Sequence, residues 1–106
     1  MTELNEFLKE FNDLKIIKTS SSKEVFIYGV SNIDHPKKNT IIFLKNKKFL
    51  EKVKENPLLD GQIFVIEEKL IEESSDDFYG ELDNYSVILQ TRSVDRSMTS
   101  ISKYFF

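Results

Sequence analysis

Three residues near the middle of the chain have the types and spacing to bind a flat, polar ligand. Phe43, Asn46 and Phe49 follow one another at intervals of three, and the apolar residues 41–44 begin the same segment. Aromatic rings can stack on a planar base, and such stacking contributes about 1–3 kcal/mol per base. The side-chain amide of Asn46 offers a donor and an acceptor, which match the edge of a uracil. This segment therefore predicts a site for a nucleotide base.

Lysines surround these three residues. Lys45, Lys47 and Lys48 lie where a predicted strand passes directly into a predicted helix. Ligands of α/β sheets tend to bind at such strand ends, and a helix N-terminus favours anions. We therefore expect the three lysines to lie close to the phosphate groups of the nucleotide.

Each of these residues also has a purely structural explanation. Phe43 lies in an apolar run and Phe49 on the apolar side of a predicted helix, so both rings can belong to the core. Asn46 directly precedes that helix and can act simply as its N-cap. The clustering of the three residues, rather than any one of them, favours a nucleotide site.

Charge is unevenly distributed, although the formal net charge of the 106 residues is only −3. Residues 31–54 contain seven lysines and two acidic residues, whereas residues 67–83 contain eight acidic residues and one lysine. Both runs are typical of solvated faces, and the first can also meet an anion. The acidic overall balance argues against general nucleic-acid binding, which favours basic domains.

Residue types that catalysis requires are scarce. The chain has no cysteine and a single histidine, His35, in a predicted loop. A nitrogen–sulfur metal site and a nucleophile paired with a histidine base are therefore not expected. The three glycines form no glycine-rich phosphate loop. We predict no catalytic residue, no metal and no cofactor in this chain. The residue types alone leave open whether the parent protein is an enzyme.

The hydrophobic pattern predicts a single α/β domain over residues 1–106, with a small, mixed, partly parallel sheet and helices packed on it. Thr2 is the expected N-cap of the first helix. No apolar stretch approaches the ~20 residues of a membrane span, and the missing cysteines fit a cytoplasmic location. Strands are expected at 16–17, 25–30, 41–44, 62–66 and 85–90, helical segments at 4–11, 47–55, 67–73 and 94–105, and an acidic loop at 74–84.

The segment from Gly29 to Phe49 resembles the N-terminal domain of UDP-3-O-acylglucosamine N-acyltransferase, an enzyme family of lipid A biosynthesis. That family shows a strand ending in Gly-Val, a loop containing Pro-Gly-Asp, and a motif close to Ile-Ser-Phe-Leu-x-Asn-x-Lys-Tyr. The predicted strand at 62–66 and the predicted strand and helix at 86–106 resemble later parts of the same domain. The resemblance thus covers nearly the whole chain, and residues 43–49 are its most specific part.

The resemblance implies that Phe43 and Phe49 stack on the uracil of a UDP-amino sugar, with Asn46 near the edge of the base. Phe49 replaces the usual Tyr, and residues 38–40 replace Pro-Gly-Asp. In the family, a β-helix of hexapeptide repeats transfers the acyl group from an acyl carrier protein and forms the trimer. No such repeats occur here, so an attached or separate hexapeptide-repeat acyltransferase domain is the implied partner. The implied setting is lipid A or surface-polysaccharide synthesis in a bacterial cytoplasm, with this chain a piece of a longer acyltransferase.

Two other interpretations stay open. The chain can be an interaction module that keeps the fold and has lost the nucleotide. It also has the strand-loop-strand pattern of the uridine-binding domain of Mur ligases, although Ser31-Asn32-Ile33 stands in place of their Asp-Ser-Arg signature. If Phe43 and Phe49 face a solvent-open cleft, nucleotide binding is favoured. If both are packed in the core, the interaction module is favoured.

Overall fold

The computed structural model describes residues 1–19, 24–55, 62–73 and 87–106. The predicted acidic loop at 74–84 lies outside these residues. The described part of the chain forms, in order, β1 (Thr2–Glu3), α1 (Leu4–Glu10), β2 (Lys15–Thr19), β3 (Phe26–Ile27), β4 (Gly29–Val30), β5 (Thr40–Leu44), α2 (Lys47–Glu55), β6 (Ile63–Glu67), α3 (Glu68–Glu73), β7 (Val87–Thr91) and α4 (Val94–Phe105).

The main sheet has five strands in the order β2-β7-β6-β5-β4. β4, β5, β6 and β7 run parallel to one another, and β2 pairs antiparallel with β7 at one edge. β1 and β3 form a separate antiparallel pair. Parallel neighbours must be joined by crossovers, and α2 follows β5 while α3 follows β6 as the alternating pattern predicts. The prediction of a small, mixed, partly parallel α/β fold is confirmed.

Helices cover both faces of this sheet. Every residue of β5 is buried, which explains why that strand is continuously apolar rather than alternating. Ile41 and Phe43 belong to the apolar cluster that also contains residues of α1 and α4. Ile42 and Leu44 belong to the cluster under α2 and α3. The two-residue period of the strand therefore assigns Phe43 to the α1/α4 face of the sheet.

The N-cap of α1 is Glu3, and the prediction of Thr2 is wrong. The Glu3 carboxylate accepts hydrogen bonds from the backbone N–H groups of Asn5, at 2.9 Å, and Glu6, at 3.2 Å. Thr2 is instead paired in β1, opposite Ile27. Because α1 begins at Leu4, the residue in the N-cap position is Glu3 and not Thr2. The negative charge of a carboxylate at this position also suits the positive end of the helix dipole.

The single strand predicted over residues 25–30 is divided into β3 and β4. β3 pairs with β1, whereas Gly29 and Val30 of β4 pair with Thr40 and Ile41 of β5. The division falls at Tyr28, and the next residue, Gly29, has a φ of 154°, a conformation that residues with a Cβ rarely adopt. The chain thus changes sheets directly before a glycine. Asn39, directly before β5, has a left-handed conformation with a φ of 57°, which asparagine tolerates better than most residues.

Within the described residues, none of the helices combines the length and the apolar character needed to cross a membrane.

Candidate functional site

A cleft lies where β4 and β5 end, at the carboxyl edge of the parallel sheet. Its volume is about 580 Å³, which falls in the range of small-molecule sites. Four parts of the chain contribute described lining residues: β4 with the loop that follows it, the end of β5, α2 and α4. Crevices outside the carboxyl ends of parallel strands are where open α/β sheets bind ligands. The position of the cleft therefore agrees with the site that the sequence predicts.

The wall formed by the β4–β5 loop (residues 31–39) is held by hydroxyl groups. Thr40 donates its Oγ1 hydrogen to the carbonyl oxygen of Lys37 at 2.6 Å. Because that hydrogen is used, Ser31 Oγ must donate to Thr40 Oγ1, which lies 2.6 Å away. Ser31 Oγ also accepts from the backbone N–H of Lys37 at 3.2 Å. The two polar groups of the Lys37 backbone are thus bonded to Ser31, the first residue of the loop, and to Thr40, the first residue of β5.

The same wall contains a turn built on Asn32. The Oδ1 atom of Asn32 accepts hydrogen bonds from the backbone N–H groups of Asp34, at 3.0 Å, and His35, at 2.8 Å. Such a turn holds the backbone of Asp34 and His35 in place without a helix or strand. Asp34 and His35 both line the cleft and are exposed.

Phe43 and Phe49 both line this cleft, as the sequence predicts. Phe43 is the second-last residue of β5 and is only 8% exposed, because it packs into the cluster on the α1/α4 face. Phe49 is the third residue of α2 and is half-buried against the opposite cluster. The cleft therefore extends around the end of β5 and reaches both faces of the sheet. Both rings therefore contribute to the core and also line the cleft. The two placements that the sequence left open, in the core and at a cleft, are combined in each ring.

Asn46 is the N-cap of α2. Its Oδ1 atom accepts a hydrogen bond from the backbone N–H of Phe49 at 3.3 Å, and its side chain is exposed. The capping role that the sequence allowed is therefore present. Asn46 is not among the described residues that line the cleft, although Phe49 and Lys45 on either side of it are.

The three predicted phosphate-proximal lysines are not equivalent. Lys45 lines the cleft, and its Nζ atom lies 2.8 Å from the carboxylate of Asp95 in the first turn of α4. Both side chains are well exposed, so this ion pair contributes about 0–1 kcal/mol and can exchange partners. Lys47 and Lys48 are exposed on the first turn of α2, and neither is among the described lining residues.

Other residues of the cleft were not identified from the sequence. Lys37 and His35 add cationic or hydrogen-bonding groups on the loop wall, and Met98 and Ser102 of α4 close the opposite side. For His35, the sequence predicts only a position in a loop. A polar loop has no hydrophobic period from which the direction of its side chains could be predicted. The position of these residues at the strand ends is therefore known only from the structure.

A second ion pair lies beside the aromatic part of the cleft. The Lys52 ammonium lies 3.3 Å from the carboxylate of Asp34 and 5.7 Å from the centre of the Phe49 ring. Lys52 therefore connects α2 to the loop wall across the position of Phe49. In the described part of the chain, no group of three or more potential metal-ligating side chains is found.

Comparison with protein families, with curated proteins and with solved structures finds no match to this chain. The motif resemblance at residues 43–49 is therefore an expectation from sequence. A functional assignment has to be argued from the geometry of the cleft.

Proposed function

We propose that this domain binds the uridine part of a UDP-amino sugar in the cleft at the ends of β4 and β5. The observation that carries the proposal is that Phe43 and Phe49, from opposite faces of the sheet, line the same cleft. In this proposal the domain presents the sugar to a hexapeptide-repeat acyltransferase, attached or separate. The setting would be lipid A or surface-polysaccharide synthesis in a bacterial cytoplasm.

The composition of the cleft supports a ligand with one flat apolar part and one anionic part. Val30 and Met98, both half-buried, accompany the two aromatic rings and provide apolar contacts for a base. Lys37 and Lys45 bring positive charge to the same cleft. A pocket with mostly apolar walls and a few placed polar groups is the usual form of a small-molecule site.

The expected affinity is low. Phe43 is almost fully buried, so it can offer only a small part of its surface, and Phe49 is the main stacking ring. Stacking and a few exposed charge contacts support about 4–6 kcal/mol of binding free energy, or dissociation constants from high micromolar to millimolar. Such affinity suits a recognition domain whose ligand is also bound by a catalytic domain.

An NMR titration with UDP, ADP and GDP tests the proposal. We expect UDP to shift the amide signals of residues 43–49 and of the β4–β5 loop at lower concentration than the two purine nucleotides do. The smaller pyrimidine and its donor–acceptor edge are the reasons for this preference. Equal shifts for all three nucleotides, or UDP shifts confined to other parts of the domain, would contradict a uracil site.

A non-catalytic interaction module is the second candidate, and the burial of Phe43 is the observation that favours it. The module would keep the fold without a nucleotide ligand. The same titration separates the two candidates, since the module predicts no saturable shift with any nucleotide.

A further inference from the structure

We propose that the anionic part of the ligand binds at the loop wall of the cleft, against Lys37 and His35, rather than at the N-terminus of α2. This inference rests on the proposed function in taking the ligand to be a nucleoside diphosphate derivative. In this proposal Lys37 and His35, rather than Lys47 and Lys48, contact the phosphates. The β4–β5 loop, which lies outside the motif at residues 43–49, then takes part in binding.

Lys47 and Lys48 are not among the described residues that line the cleft, and of the lysines at the cleft the distribution of ion pairs favours Lys37. Lys45 is paired with Asp95, and Lys52 is paired with Asp34. Within the described residues, Lys37 has no carboxylate within 4.0 Å. A phosphate that binds Lys45 must displace Asp95 and then lie close to that negative charge, which costs free energy. A phosphate that binds Lys37 displaces no ion pair.

The position of Lys37 is also fixed before any ligand binds. Its backbone N–H is bonded to Ser31 Oγ, and its carbonyl oxygen is bonded to Thr40 Oγ1. Thr40 is only 5% exposed, so this anchor is inside the protein. Because the backbone is already ordered, binding a phosphate restricts only the lysine side chain, and less conformational entropy is lost than on a free loop.

His35 supplies a second donor beside Lys37. The Asn32 turn holds the backbone of His35 through two hydrogen bonds, to Oδ1 at 2.8 Å and to the carbonyl oxygen at 3.2 Å. An imidazole has at least one N–H group in every protonation state and can therefore donate to a phosphate oxygen. The two residues lie on one wall of the cleft, two positions apart in the same loop.

Neighbouring lysines provide matched controls. Lys38 follows Lys37 in the same loop, is exposed, and is not among the described residues that line the cleft. Lys47 represents the rival position at the start of α2. Lys37→Ala, Lys38→Ala and Lys47→Ala each remove one positive charge, so they change the net charge of the domain equally.

The test compares uridine and UDP as ligands of the wild-type domain and the three variants by NMR titration. UDP should bind wild type more tightly than uridine does, because only UDP has phosphates. Lys37→Ala should lower the UDP-to-uridine affinity ratio by about three- to tenfold, the loss expected for one charge-assisted contact. Uridine affinity should not change, Lys38→Ala and Lys47→Ala should keep the wild-type ratio, and Lys37→Arg should restore most of it.

If the ratio is unchanged in Lys37→Ala, or falls equally in Lys38→Ala or Lys47→Ala, the loop wall is not the anion site. That result overturns this inference while uridine binding still supports the proposed function. If uridine does not bind wild type, the proposed function fails, and inorganic pyrophosphate decides the inference separately. If pyrophosphate shifts the NMR signals of residues 35–37 in wild type but not in Lys37→Ala, the inference is supported. If pyrophosphate shifts the signals of residues 47–48, or shifts no signal, the inference is overturned.

Discussion

Removing the ring of Phe49 should weaken nucleotide binding more than it weakens the fold. Phe49 is half-buried in the first turn of α2, whereas Phe64 is fully buried in the middle of β6. Both residues belong to the same apolar cluster. The comparison of Phe49→Ala with Phe64→Ala therefore separates a ring that faces the cleft from one that only fills the core.

The stability costs can be estimated from burial. Truncation of a fully buried phenylalanine costs about 3–5 kcal/mol, because the removed atoms lose their contacts and leave a cavity. Phe64→Ala should fall in that range. The exposed part of Phe49 loses nothing on truncation, and its contact with the Lys52 ammonium is worth about 0.5–1 kcal/mol at an exposed site. We therefore expect Phe49→Ala to cost about 1–2 kcal/mol.

A leucine at position 49 isolates the role of the ring. Phe49→Leu keeps apolar atoms against the α2 side of the core, so it should cost less than about 1.5 kcal/mol of stability. The flat stacking surface is lost, and the free energy of UDP binding should fall by about 1–3 kcal/mol. Thermal melts measure the first quantity, and NMR titration with UDP measures the second.

Two results would refute this reasoning about Phe49. If Phe49→Ala destabilises the domain as much as Phe64→Ala does, Phe49 is a core residue despite its partial exposure. If Phe49→Leu binds UDP as tightly as wild type does, the ring does not stack on the base, and the cleft then lacks its main aromatic contact.

Three further predictions concern other parts of the domain. Asn46→Ser should weaken UDP binding while it keeps the cap of α2 and the stability of the fold, whereas Asn46→Ala should weaken binding and also lose about 1 kcal/mol of stability. If titration gives the same UDP affinity for wild type and Asn46→Ser, Asn46 acts only as a cap. Gly29→Ala should lower the melting temperature through backbone strain of about 1–3 kcal/mol, because the φ of 154° disfavours a residue with a Cβ. Among the described residues, apart from the two chain neighbours, no atom lies within 4 Å of the added Cβ, so no clash is expected; an unchanged melting temperature would contradict the expected strain. The purified domain should not acylate a UDP-amino sugar, because the 106 residues contain no hexapeptide repeats and only a single histidine, in a loop; product that increases in proportion to the amount of the domain would show otherwise.

Local sequence patterns predicted the elements that carry the aromatic residues. The apolar run of β5, the cap at Asn46 and the amphipathic helix that follows are all local features, so their positions along the chain could be found without a structure. The two-residue period of β5 also determines that Phe43 and Ile42 lie on opposite faces. These features suffice to place Phe43 at a strand end and Phe49 in the first turn of a helix, and the structure confirms both positions.

Features that depend on distant parts of the chain could not be predicted in the same way. The N-cap of α1 is Glu3 rather than Thr2, and both residues pair with β3, a strand that lies more than twenty positions further along the chain and is not visible in the sequence near the helix. The ion pair between Lys45 and Asp95 joins residues that are fifty positions apart. Met98 and Ser102 reach the cleft only because α4 packs across the end of β5. The presence of Lys37, Met98 and Ser102 in the cleft was therefore not found from the sequence.

Capping by Asn46 is compatible with base recognition by the same side chain, which is exposed next to the cleft but is not among the described residues that line it. A carbonyl oxygen has two acceptor positions, and the backbone N–H of Phe49 occupies one of them at 3.3 Å. The second acceptor position and the NH₂ group of the amide are then available to the edge of a uracil. Because the cap fixes the amide relative to Phe49, the group that would contact the edge of the base and the ring that would stack on its face belong to the same helical turn. Under the proposal, α2 therefore orders two of the three base contacts before the ligand arrives, and this lowers the entropy lost on binding.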